Sequence, residues 1–449
     1  MDNLSWSMTE MADFNRGHNA PFGEDYAAGD ENLIVSKHIF LSQDDKKVCG
    51  SPHILTIGNT GSGKTRNVIL PNLMRAYGSY IVVDPDGSML AESDRELSKN
   101  GYSVKVIDFG KPEASDHYNP LRYVRTDEDV RILVDCILDN FEDNSPQYQD
   151  PFWNKTEAAV LSSIILYLLH FRPKKEQTMR QVLSLAILAK DNPKRYDDLF
   201  ENARRINDRD SAVAAYDNAN LASQKTSLSA RTAVVLCLMA FNGQPEEDLS
   251  IDDTVELDKL CDRKTAVFLT GFHIARKQAI LVPMLFTQIF KVTAYHVAYE
   301  CETRHAEYPL TLLMDELANL GYIPELDHDL ATMKGVGLTA IMAIQSYSQL
   351  MNAYPKTASA ILSVCGAVVY TSATFGGDLE RGMYATEPLG STSIHHGGED
   401  WERPTDHMDR EPVFTSSVRR ITQDKCLIYI PGMPVCMDEK YTIASQDPD

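Results

Sequence analysis

The chain alternates short apolar runs with longer stretches in which apolar residues recur at helical spacing. The runs are His53–Ile57, Tyr80–Val83, Val104–Ile107, Ala266–Leu269, Leu310–Met314, Leu338–Ile344, Ala367–Thr371 and Leu427–Ile430. Several are continuously apolar rather than alternating, as strands buried on both faces of a parallel sheet must be. The helical patterns between them predict a doubly wound α/β architecture. That rhythm breaks once. From Thr126 to Gln244 there is no strand pattern, and helices are predicted at Glu128–Phe141, Asn154–His170, Met179–Ala189, Ser211–Gln224 and Ser229–Phe241. The pattern reads as an all-α domain, 126–244, inserted into an α/β domain formed by 31–125 and 245–449. Residues 1–30 read as a mobile N-terminal arm, and Gly376–Val418, rich in Gly, Thr, His and acidic residues, as a long surface loop.

At 449 residues the chain can build two or three domains around a large core, and its 43% hydrophobic content is ordinary for a soluble protein. No apolar run approaches the eighteen or so residues that span a bilayer. The nearest, Ala158–Leu169 and Ala279–Phe290, are about twelve residues each and are interrupted by polar residues or Pro. The N-terminus lacks the basic and apolar regions of a signal peptide. The eight cysteines form no CxxC pair or zinc spacing, and Cys136, Cys237, Cys261 and Cys365 read as free buried thiols of a reducing cytoplasm. A net charge of −21 argues against a protein that coats nucleic acid. It leaves room for a ring with a small basic or polar inner surface, and it suits basic protein partners.

The chemistry starts at Gly58-Asn59-Thr60-Gly61-Ser62-Gly63-Lys64-Thr65, a full GxxxxGK[ST] phosphate loop. Its glycines let successive N–H groups turn toward phosphate oxygens, and the following helix adds its positive end. Lys64 supplies a point charge to the β- and γ-phosphates of ATP, and the Thr65 hydroxyl binds Mg²⁺. The run Leu310–Met314 ends in Asp315-Glu316. Asp315 reads as a group of the Mg²⁺ shell and Glu316 as the carboxylate that polarises the attacking water. Gln345, at the tip of the next run, can sense the γ-phosphate by hydrogen bonding.

These residues reach a family. Leu312–Leu350, LLMDELANLGYIPELDHDLATMKGVGLTAIMAIQSYSQL, resembles the Asp-Glu to QSxxQL block of TraG-type conjugative coupling proteins. In the same order, Val83-Asp84-Pro85-Asp86-Gly87 resembles their Asp-Pro-x-Gly strand end and Asn119-Pro120-Leu121 their Asn-Pro-Leu/Phe turn. Asp150-Pro151-Phe152-Trp153 resembles the entry to their all-α domain, and Cys426–Pro434 their closing strand and turn. Pro71-Asn72-Leu73-Met74 is similar to Gram-positive members in particular. The resemblance spans roughly Asn32 to Tyr441.

It implies a RecA-like P-loop nucleotide-binding domain with an inserted all-α domain, working as a homo-hexamer at the cytoplasmic face of the membrane. Such a hexamer hands relaxase-bound single-stranded DNA to a type IV secretion channel at the expense of ATP. Relaxase, relaxosome accessory proteins, channel ATPases and membrane channel subunits are the implied partners. Members often carry Lys where this chain has Asp86, and an arginine finger where it has Lys334; their N-terminal transmembrane helices are missing from this sequence, either removed from it or supplied by a separate membrane subunit. A lysine offers one point charge instead of a planar fork. Arg231 and Arg276 are alternative arginines for a neighbour's site, a reading weaker than that of surface residues or ordinary salt-bridge partners. His395-His396 reads as a solvated loop pair rather than a metal cluster, and Phe152 and Trp153 as domain packing rather than base stacking. Two other readings stand beside the translocase: a nucleotide-switched docking receptor for relaxosome proteins, and an FtsK/HerA-type double-stranded DNA motor.

Overall fold

A computed structural model of the chain describes residues 31–43, 51–141, 151–243, 245–272, 280–333, 335–372, 421–431 and 436–443, and for 151–154 only the backbone. The arm predicted for 1–30, the loop Gly376–Val418, Asp150, Gln244, Arg276, Lys334, His395, His396 and Pro434 lie outside the described residues. The strands are β1 (Asn32–Ile34), β2 (Phe40–Ser42), β3 (Ile54–Ile57), β4 (Ser79–Val83), β5 (Ser103–Asp108), β6 (Thr265–Thr270), β7 (Leu310–Met314), β8 (Leu338–Ile344), β9 (Ala367–Tyr370), β10 (Lys425–Tyr429) and β11 (Cys436–Glu439). The described residues fall into two compact units, one up to Arg75 and from Ala340 on, the other Ala76–Thr339.

In the first unit the strand order is β11-β10-β9-β3-β8. β3 lies parallel to both β8 and β9, and β10 runs antiparallel to β9 and β11. Every residue of β3, β8 and β9 is buried, which is why these strands read as unbroken apolar runs. After β3 the chain enters a helical segment, a wide π turn at Thr65–Ile69 continuing as Leu70–Met74. Asn72 explains part of the Pro71–Met74 run. Its side chain accepts the Ile34 N–H at 2.8 Å and donates to the Ile34 carbonyl at 2.9 Å and the Val68 carbonyl at 2.7 Å. The amide thereby fastens β1 to the helix after the phosphate loop.

In the second unit four strands, β7-β4-β6-β5, are all parallel. Between β5 and β6 the described residues contain helices and no strand. The longer helices are Asp127–Phe141, Pro151–Phe171, Met179–Asp191, Pro193–Ile206, Ser211–Ala219 and Gln224–Cys237. Thr178, Asn192, Asp210 and Ser223 cap four of them, each accepting a backbone N–H of the first turn. The Ser223 cap explains a difference from the pattern: the helix predicted as Ser211–Gln224 ends at Ala219, and a new one starts at Gln224. Pro193–Ile206 carries too weak an apolar pattern to show in the sequence, because only Tyr196, Phe200 and Ala203 are buried along fourteen mostly polar residues. Aromatic rings fill this helical core, with Phe200 stacked on Tyr216 at 4.4 Å and tilted against Tyr196 at 5.0 Å.

Cys136, Cys261 and Cys365 are free and buried, as their surroundings in sequence imply, and Cys237 is buried too. Among the described residues no helix is long and apolar enough to cross a membrane.

Candidate nucleotide site

The loop Gly58–Thr65 leaves the carboxyl end of β3 in the first unit. Its first residue is held from one side by the β8 backbone, the Gly58 N–H donating to the Ile344 carbonyl at 3.2 Å. Gly61 and Gly63 take φ of +77° and +92°, where a side chain is strained. Space is the second constraint. A Cβ on Gly58 would meet Thr371 Oγ1 at 2.2 Å, and one on Gly63 would meet Asn67 Oδ1 at 1.9 Å. The end of β9 supports the curl: the Ser62 and Thr371 hydroxyls share a 2.7 Å hydrogen bond, and the Asn59 N–H donates to Ser372 Oγ at 3.0 Å.

Lys64 is 5% exposed. Its ammonium donates to the Gly58 carbonyl at 2.7 Å and the Asn59 carbonyl at 3.2 Å, so it lies back across the loop it belongs to. Thr65, half-buried, opens the helix. A tight glycine curl, one buried cation and a hydroxyl at a helix start form a donor set that fits nucleotide phosphates and a hard cation.

Gln345 is half-buried at the carboxyl end of β8, one residue past the Ile344 carbonyl that takes the Gly58 N–H. The block around it has a structural task as well. Gln349 Oε1 accepts the Gln345 N–H at 2.9 Å, and the Ser346 hydroxyl accepts the Gln349 N–H at 3.2 Å, which starts the helix Tyr347–Ala353.

The second unit carries the carboxylates. Asp315 and Glu316 are half-buried at the end of β7. The β4–β7 register pairs Val82 with Leu313, so Asp84 and Asp315, each two residues on, end adjacent strands at one level. Asp84 accepts the N–H groups of Met89 at 3.2 Å and Leu90 at 2.7 Å. Burial nonetheless pushes its pKa up. Glu316 has φ of +58°, a strained conformation for a side-chain-bearing residue and one that collects at functional sites. Its Oε2 accepts from Asn319 Nδ2 at 3.1 Å. Asp86 accepts the N–H and hydroxyl of Ser88 at the start of the helix Ser88–Lys99. Those bonds hold its carboxyl below the usual range.

Arg231 is not available to another subunit. It is 7% exposed, donates to the Ala189 carbonyl at 3.0 Å and Asn220 Oδ1 at 3.1 Å, and lies over the Tyr196 ring. The reading of Arg231 as a trans-acting arginine is therefore corrected: it is a cross-brace inside the helical core. Conversely, no motif pointed to Lys440. Just past β11, it is 7% exposed and donates to the carbonyls of Ser62 and Gln423, each at 2.8 Å. Burial pulls its pKa below the ordinary lysine value, with Cys426 and Asp424 opposing. The contact joins residues 378 positions apart, which no local spacing could encode.

Residues 11–393 match the family described as type IV secretory system conjugative DNA transfer. The chain is 23% identical over 318 residues to a conjugal transfer protein TraG from Escherichia coli, covering 67% of this chain and 49% of TraG. It is 21% identical over 408 residues to protein VirD4 from Rhizobium rhizogenes, covering 85% and 57%. The chain thus spans about half the length of the curated relatives it matches. Among solved structures, it is similar to the plasmid coupling protein TrwB. Its complex with the ATP analogue ADPNP aligns with a TM-score of 0.63 at 17% identity, over 93% of this chain and 91% of that one. Its complex with ADP and Mg²⁺ aligns with a TM-score of 0.62 at 15% identity, over 93% and 91%. The shared fold is α/β, a RecA-like P-loop domain carrying an all-α domain.

Proposed function

The chain belongs to the type IV secretory system conjugative DNA transfer family, as a TraG-type coupling protein, and from that premise we propose that it is an ATP-hydrolysing motor and receptor of conjugation. The observation that carries the reading is the phosphate loop, with its left-handed Gly61 and Gly63 and the buried Lys64 ammonium. Lys64 neutralises the β- and γ-phosphates of ATP, and Thr65 and Asp315 hold Mg²⁺. That ion, when bound, offsets charge that builds on the phosphate oxygens. Glu316 orients and polarises the attacking water, and Gln345 hydrogen-bonds the terminal phosphate. Lys334 serves a neighbour's nucleotide within a homo-hexamer, so turnover rises with protein concentration.

In this reading residues 31–125 and 245–449 form the motor, and the all-α domain 126–244 receives cargo. The cargo is relaxase-bound single-stranded DNA with its relaxosome accessory proteins. It passes to channel ATPases and membrane channel subunits at the inner face of the membrane. Steady-state ATP hydrolysis with and without single-stranded DNA tests the proposal: turnover stimulated by DNA supports a translocase. A second reading, a nucleotide-switched docking receptor, is favoured by the net charge of −21, which suits basic protein cargo. Tight ATP binding with negligible, DNA-insensitive turnover would select it.

A further inference from the structure

Lys440 touches the phosphate loop at its tip. Its ammonium donates at 2.8 Å to the carbonyl of Ser62, which lies between the two left-handed glycines. The C=O and N–H of a trans peptide point to opposite sides, so this contact leaves the Gly63 N–H facing away from the lysine. Among the described residues that N–H donates to no backbone carbonyl. A cation on the carbonyl polarises the peptide and makes its N–H a stronger donor. The neighbouring residue grips the other flank of Gly63: the Tyr441 carbonyl accepts from Asn67 Nδ2 at 2.7 Å, and Asn67 Oδ1 packs against Gly63. Lys440 is itself built into the terminal strands, its N–H donating to the Asp424 carbonyl and its ammonium to Gln423, each at 2.8 Å.

We infer that Lys440 is a positioning residue of the phosphate loop: it holds the Ser62–Gly63 peptide in its phosphate-binding orientation and ties nucleotide binding to the end of β11. The inference rests on the nucleotide reading above. Phosphate drawn to the Gly63 N–H is then felt through one peptide and one lysine at residues 436–443.

The test measures the affinity of a fluorescent ATP analogue for the native chain, Lys440→Met, Lys440→Arg and Glu439→Gln, each with its melting temperature without nucleotide. Lys440→Met should bind about tenfold more weakly, the scale of one lost hydrogen bond to a charged group. Its melting temperature should fall by a few degrees, because the Ser62 and Gln423 carbonyls lose that donor, and Lys440→Arg should restore most of the affinity. Glu439→Gln, which removes only the exposed pair with Lys37, should bind as the native chain does. In the native protein the analogue should slow amide exchange at 436–443 together with 58–65, a readout that holds even if Lys440→Met does not fold. Native affinity in Lys440→Met, or unchanged exchange at 436–443, overturns the inference and leaves the nucleotide reading standing. A native chain that does not bind the analogue overturns both.

Discussion

The side-chain amide of Asn140 holds both backbone groups of Tyr322, accepting its N–H at 2.7 Å and donating to its carbonyl at 2.8 Å. Asn140 lies in the last turn of the helix Asp127–Phe141, and Tyr322 follows the Asp315-Glu316 strand end by a few residues. Gly321 makes the approach possible: its φ is +92°, and a Cβ there would stand 2.6 Å from Asn140 Oδ1. The helical stretch and the chain leaving the carboxylates are thus joined by a fixed pair of bonds. Asn140→Ala removes two hydrogen bonds to a half-buried stretch of backbone, and should cost about 1–3 kcal/mol. Denaturant unfolding measures that loss, and amide exchange at 321–323 should accelerate with it.

Arg231 should behave as a structural residue. Replacing it with Met removes two hydrogen bonds and the cation over Tyr196, and leaves the Ala189 carbonyl buried without that donor. A destabilisation of about 2–3 kcal/mol is expected. Turnover per folded molecule should be unchanged. A large fall in turnover at native stability would restore Arg231 to the catalytic candidates.

Much of this was legible in the chain. The eight apolar runs all contain strands of the structure, because residues such as Ile54–Ile57 and Leu338–Ile344 are buried along their whole length. What escaped has physical reasons. β1 and β2 are three residues each, too short for a periodicity, and β11 is CMDE, with two acidic residues. The phosphate loop and the Asp-Glu strand end are local in sequence, so spacing alone finds them. Lys440 acts on a backbone carbonyl far along the chain, and a carbonyl carries no side-chain signature.

His296 gives stability a pH dependence. Its Nδ1 lies 2.7 Å from Glu300 Oε2 and its Nε2 2.8 Å from Asp262 Oδ1. Burial alone would lower its pKa, but the bonds to Glu300 and Asp262 outweigh that and raise it. A raised folded pKa contributes stability that is fully present below the unfolded value, about 6.5, and lost as pH rises through the folded value. Denaturant unfolding should therefore show stability falling as pH rises above about 6.5, with His296→Gln flattening that part of the profile. An unaltered slope in the variant would mean that another group titrates there.

Glu316→Gln keeps the shape of the side chain and removes its charge. Affinity for ATP should remain near native, while single-turnover hydrolysis falls about 10²-fold or more, the scale of losing a positioned base. Native hydrolysis in this variant would remove Glu316 from the role of activating water, and Asp84, at the level of Asp315, would be the next carboxylate to change.

The most direct test is equilibrium binding of a non-hydrolysable ATP analogue with Mg²⁺ to the native chain and to Lys64→Ala. Lys64 is the buried cation of the loop, bonded to the Gly58 and Asn59 carbonyls. Its loss should weaken binding by about 10–100-fold, the scale of one or two charge-assisted hydrogen bonds, while the melting temperature without nucleotide falls by a few degrees as the Gly58 and Asn59 carbonyls lose that donor. Equal affinity of the two proteins, or no binding by the native chain, would contradict the account that Gly58–Thr65 holds the phosphates of ATP.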